Sequence, residues 1–164
     1  MLTFADAEPS GLNHFAIFCD PSALRGADWF ACVLSARDSD GRIYIVDTYS
    51  VNAGSREQIA RHLRDWMASY DVERCYIETN GIIGIDFFEF CVNSGLPVEG
   101  WYSKGNKFDR IVGCYQALCD EVTFIRNPRL DDYMSQVYLF DSKCEHDDNI
   151  DAVVSSYRAQ KYSM

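Results

Sequence analysis

The chain has 164 residues, 48% hydrophobic and 14% aromatic, which suits one domain with a substantial core and excludes a disordered tail. Its formal net charge of -10 argues against a general nucleic-acid binder, which carries a basic surplus, but not against a site where acidic groups gather round cations. No stretch approaches the ~20 apolar residues of a membrane span, so no membrane partner is expected, and the opening MLTFADAEPSG lacks the basic and apolar regions of a signal peptide. Cysteines at positions 19, 32, 75, 91, 114, 119 and 144 form no CxxC pair. They are expected as buried thiols of a reduced, cytoplasmic protein, and their spacing excludes a zinc site.

Residues 1–12 read as a loose N-terminal arm of a single domain spanning 1–164, with Pro9, Ser10 and Gly11 as punctuation. Residues 14–20 (HFAIFCD) are a short apolar run halted by Asp20-Pro21, a buried strand followed by a turn. Residues 28–36 and 42–51 are two further strands, parted by the turn signal DSDG. Short connections favour an antiparallel meander of the three. Residues 55–70 have helical period, with Ile59, Leu63, Trp66, Met67 and Tyr70 on one stripe and Ser55 with Gln58 as a capping box.

Val72–Glu78 is the fourth strand, ending at Thr79-Asn80-Gly81. Residues 82–94 are almost continuously apolar and read as a buried helix. Residues 98–102 are a fifth strand. Residues 106–119 are a helix with Phe108, Ile111, Val112, Tyr115 and Leu118 on one face, and Val122–Ile125 is a short extended piece. Helices over 133–140 and 148–160 follow, the last burying Ile150, Val153, Val154 and Tyr157. A meander followed by alternating helices and parallel strands is a mixed α/β sheet flanked by helices. The order resembles that of the ribonuclease H-like fold.

Three carboxylate positions stand out by place. Asp20 ends the first strand, Glu78 ends the fourth, and Asp147, Asp148 and Asp151 open the last helix. Ligands bind in the crevice beyond the C-terminal ends of parallel strands, so neighbouring first and fourth strands would set Asp20 and Glu78 side by side. Asp148 and Asp151, three residues apart, share a helix face. Such a cluster repels itself unless a cation fills it, and hard oxygen ligands select Mg2+ or Mn2+. Two ions roughly 4 Å apart serve in-line displacement at a phosphodiester without a His or Cys nucleophile. Asp147 is the best-placed N-cap, which leaves Asp151 as the expected direct ligand and Asp148 as ligand to a second ion or to a water on it.

Each acid alone has an ordinary explanation: a turn opener for Asp20, a strand-end surface group for Glu78, a helix cap for Asp147 or Asp148. Their joint placement is what points to a site. His146 reads as a solvated loop residue. Lys104, Lys107 and Arg110 read either as a solvated helix face or, in a nuclease, as groups placed where phosphates approach, positioning a duplex without reading its sequence.

The segments FAIFCDPSALRGADWFACVLSARDSDGRIYIVDTY, CYIETNGIIG, SKGNKFDRIVGCYQAL and HDDNIDAVVSSY, in that order, resemble the C-terminal nuclease domain of tailed-phage large terminase subunits over roughly residues 14–160. The resemblance implies an endonuclease that cuts concatemeric double-stranded DNA during genome packaging, in the host cytoplasm. It implies a terminase ATPase domain or subunit, a small terminase and a portal as partners. By motif, Asp20 and Glu78 match the first two metal-binding acids. Asp148 and Asp151 of HDD..DA are both candidates for the third, and Lys107 and Arg110 match a K..RI element near the active site. No Walker A sequence GxxxxGK[ST] is present in the chain. Alternative readings are a junction resolvase or hybrid hydrolase of the same class, and a catalytically silent domain that docks DNA or a portal.

Overall fold

In the computed structural model, residues 1–24, 27–52, 54–138 and 148–162 are described, and at 22–24, 27–29, 135–138 and 148 the backbone alone. The elements run β1 (Thr3–Ala5), β2 (Asn13–Leu24), β3 (Ala27–Arg37), β4 (Ile43–Asn52), α1 (Arg56–Ser69), β5 (Val72–Glu78) and α2 (Ile82–Asn93). Then come β6 (Glu99–Trp101), α3 (Lys107–Glu121), β7 (Val122–Ile125), α4 (Leu130–Tyr138) and α5 (Asp148–Tyr162). The strands form one mixed sheet in the order β1-β7-β4-β3-β2-β5-β6. The β2–β3–β4 meander is antiparallel, and the remaining neighbours pair parallel. All strands except β3 therefore point the same way, and the C-terminal ends of β2, β5 and β6 lie at one end of the sheet.

Period-two alternation divides the core between the two faces. From β2 and β3, Ile17, Cys19, Cys32 and Leu34 pack with Ile59, Leu63 and Trp66 of α1 and Phe87 and Cys91 of α2. The opposite face, with Ala31 and Val33, packs under Ile111, Leu118, Tyr133, Ile150, Val153, Val154 and Tyr157 of α3, α4 and α5. Phe18 of β2 and Tyr76 of β5 meet Ala159 of α5 on that second face. Two residues further along each strand, the same alternation brings Asp20 and Glu78 to the α5 side.

Several local expectations are revised. β2 does not stop at Asp20-Pro21. Its parallel pairing with β5 ends at Cys19↔Ile77, but its pairing with β3 continues to Leu24↔Ala27. Pro21 thus sits where one side of the strand is an open edge, a place where a sheet tolerates the missing N–H. The N-terminal arm is partly a strand: β1 pairs with β7, Leu2 is buried, and the Phe4 ring packs tilted against Phe124 at 5.7 Å. Helix α2 buries only Gly84, Phe87 and Cys91, leaving Ile82, Ile85 and Val92 exposed.

On α3 the face expected to be buried is split. Ile111 and Leu118 go inward, and Phe108, Val112 and Tyr115 are exposed. Helix α4 starts three residues earlier than expected, because Asn127 Oδ1 accepts from the N–H groups of Arg129 at 3.0 Å and Leu130 at 3.1 Å. Its expected extension to residue 140 lies outside the described residues. Helix α5 is buried nearly all round, sandwiched between the sheet and α3 and α4, although its sequence is largely polar. Two of its buried amides are anchored: Asn149 accepts from Ser50 Oγ at 3.1 Å and donates to Tyr133 O at 3.0 Å, and Gln160 donates to His14 O at 2.8 Å.

Candidate metal centre

Asp20, Glu78 and Asp151 converge where β2, β5 and α5 meet. One carboxylate oxygen from each lies within 4.8 Å of the other two. Asp20 is 2% exposed and Asp151 fully buried, and Glu78 is half-buried. Three carboxylates so close, two of them buried, repel one another, and the donor set is all hard oxygen. It fits a divalent cation such as Mg2+ or Mn2+. Beside them opens a groove of about 380 Å3, lined by Asp20, Pro21, Glu78, Asn80, Ile82 and Lys107 among others. Burial raises the Glu78 carboxyl above the usual carboxylate range, and the Asp151 charge adds to this. A hydrogen bond from Ser103 and the charges of Lys107 and Arg110 oppose it.

Asp151 has two cationic neighbours from α3. Arg110 Nη2 donates to its Oδ2 at 3.2 Å, and Lys107 Nζ stands 3.8 Å from the same oxygen. The Arg110 side chain is only 10% exposed. Its Nη1 donates to the carbonyls of Lys104 at 3.2 Å and Gly105 at 2.7 Å. The guanidinium therefore braces an acid rather than facing solvent. Lys107 is intermediate, at 28% exposed, and also lines the groove, while Lys104 is exposed. Asp148 occupies the first turn of α5, but its side chain lies outside the described residues, as do Asp147 and His146 altogether.

Three contributors to the site were not singled out from sequence. Ser103 Oγ donates to Glu78 Oε2 at 2.9 Å. Asn80 grips the main chain of Ser103 from both sides, donating to its carbonyl at 2.6 Å and accepting from its N–H at 2.8 Å. Gly84 lies against the main chain of Glu78, where a Cβ would stand 2.2 Å from the Glu78 carbonyl oxygen. Their roles arise from contacts across the β5–β6 edge and the β5–α2 junction. The one local signal was the polar, glycine-bearing TNG following the fourth strand.

The strand order, the meander and the acids lying just past the last parallel β2–β5 pair mark a ribonuclease H-like fold. Within that class, the model of the terminase RNaseH-like domain matches residues 17–159, and the chain belongs to that family. Among solved structures, the large terminase nuclease of thermophilic phage G20c is similar over 96% of this chain and 92% of its own, with 11% identity and a TM-score of 0.65. The same nuclease with bound zinc and with bound magnesium matches at 12% identity and the same coverage, with TM-scores of 0.61 and 0.60. The yeast mitochondrial Holliday junction resolvase Ydc2 is similar over 93% of this chain and 83% of its own, with 9% identity and a TM-score of 0.52. The fowlpox virus resolvase, solved with substrate Holliday junction DNA, covers 87% of this chain and 97% of its own, with 16% identity and a TM-score of 0.50. No curated protein matches the sequence. No helix among the described residues is long and apolar enough to cross a membrane.

Proposed function

We propose that the chain is an endonuclease domain that hydrolyses double-stranded DNA with Mg2+ or Mn2+, two ions being engaged, held by Asp20, Glu78 and Asp151 and completed by Asp148. The observation that carries this reading is the convergence of three carboxylate oxygens within 4.8 Å, in a chain of the terminase RNaseH-like family. The magnesium bound to the G20c nuclease supports it. Bound divalent ions supply Lewis-acid polarisation of the phosphodiester and of an attacking water.

The protein's own groups do the rest. Buried Asp20 and Asp151 are rigid donors from a strand and a helix, and Glu78 adds a third from the neighbouring strand. Lys107, between Asp151 and the groove, meets the approaching phosphate, and exposed Lys104 extends the contact along the backbone. Arg110 serves by holding Asp151 in place, with any contact to DNA secondary. The terminase family implies a setting of packaging-linked cutting of concatemeric phage DNA in the host cytoplasm, beside an ATPase domain or subunit, a small terminase and a portal.

The test is cleavage of supercoiled plasmid and of a four-way junction with Mg2+, Mn2+, Ca2+ or EDTA, by wild type and Asp20→Ala. Metal-dependent plasmid cutting that Asp20→Ala abolishes is the expected result. Undiminished cutting in excess EDTA would refute the metal reading, and a strong preference for the junction would make the enzyme a resolvase.

A further inference from the structure

The β5–β6 ladder ends at the site. Its last register pair is Glu78↔Trp101, and one more main-chain bond follows, from Thr79 N to Trp101 O at 2.9 Å. Beyond that the two chains part, one toward α2 and the other into the loop before α3. Asn80 bridges the gap with its side chain. The amide occupies both main-chain groups of Ser103, as a paired strand residue would. Ser103 is thereby pinned, 5% exposed, opposite Glu78. Its hydroxyl donates to Glu78 Oε2 at 2.9 Å.

A carboxylate has about four lone-pair sites. A fixed donor at one of them restricts rotation of the group and leaves the others for a cation. The same loop presents the carbonyls of Lys104 and Gly105 to Arg110, whose other nitrogen holds Asp151. One short stretch, residues 103–105, is therefore tied to two of the three converging acids.

We propose that Ser103 is a positioning residue for the Glu78 carboxylate, seated by the Asn80 clamp, and that the pair sets the metal affinity of the acidic cluster. The inference rests on the metal reading above. Partners behind a metal ligand typically contribute 10–100-fold in metal affinity or activity.

The test measures Mn2+ affinity of the whole chain without DNA, by calorimetric titration, for wild type, Ser103→Ala, Ser103→Thr and Asn80→Ala. Thermal unfolding in EDTA is recorded alongside. Ser103→Ala is expected to weaken Mn2+ binding at least about 10-fold, with little change in melting temperature in EDTA. Ser103→Thr, which keeps the hydroxyl, is expected to restore most of the affinity. In plasmid cleavage, the Mn2+ concentration for half-maximal rate is expected to rise in step.

Wild-type Mn2+ affinity in Ser103→Ala would overturn the proposal while leaving the metal site intact. Failure of the wild type itself to bind Mn2+ would overturn the metal reading and the proposal together. If Ser103→Ala does not fold, Asn80→Ala decides, because it keeps the hydroxyl but unseats it. Weakened binding there supports the clamp, and wild-type affinity refutes it.

Discussion

Asp20 and Glu78 each lie close to two other carboxylates, and this makes their removal informative. Asp20→Asn and Glu78→Gln are each expected to abolish cleavage without unfolding the protein. Burial and Asp151 raise the Glu78 carboxyl in the folded state above its unfolded value. Its contribution to stability is therefore greatest below the unfolded value and is lost as pH rises through the folded one. Melting of the metal-free wild type in EDTA is expected to show this loss, and Glu78→Gln to flatten it and melt higher at neutral pH. A variant that melts lower than wild type at neutral pH would contradict the repulsion argument. Arg110→Ala works in the opposite sense. It removes the Arg110 hydrogen bond from buried Asp151, leaving Lys107 at 3.8 Å to offset the charge, and is expected to lower the melting temperature of the metal-free protein. Added Mn2+ is expected to recover part of this in thermal melts. At this scale the convergence of Asp20, Glu78 and Asp151 could be anticipated, because the end of β5 and the start of α5 mark themselves in sequence, whereas Asp20 proved to lie inside β2 rather than at its end. Ser103, Asn80 and Gly84 could not be anticipated, because each acts on a residue brought near only by the fold.

The elements show where local pattern suffices and where tertiary context overrides it. The meander, α1 with its Ser55 cap at 3.1 Å from Gln58 N, and β5 carry their signals locally. Pro21 was misleading, since proline breaks a central ladder but not the open side of β2 beyond its last β5 pair. The apolar run of α2 was read as buried because its apolar residues are nearly continuous, yet Ile82, Ile85 and Val92 face outward. Helix α2 also bears directly on the site. It starts so close to β5 that only glycine fits at position 84. Gly84→Ala places a methyl against main chain that cannot swing aside, so the helix start or Glu78 must move. The variant is expected to lower the melting temperature and weaken Mn2+ binding together. Wild-type Mn2+ affinity in it would mean that Glu78 does not depend on this junction.

On the scale of the whole molecule, the proposed function requires an acidic chain to meet a polyanion. The net charge of -10 predicts weak binding of DNA by the isolated chain. Contact then depends on the few cations at the groove and on divalent ions at the acids. Lys104→Ala is expected to reduce affinity for unrelated duplexes about equally and to lower the salt slope by about 1. Loss of affinity for one sequence only would contradict a contact through phosphate. The fold class was legible as a whole, because element order alone specifies the mixed sheet. The pairing of β1 with β7 was not, since three residues leave too little pattern to read. The most direct test of the account is a crystal soaked in Mn2+ and measured for anomalous scattering. Density is expected between Asp20, Glu78 and Asp151, with Asp148 directed at the same or a second ion. Mn2+ bound elsewhere, with Asp151 still held by Arg110 and Lys107, would contradict it.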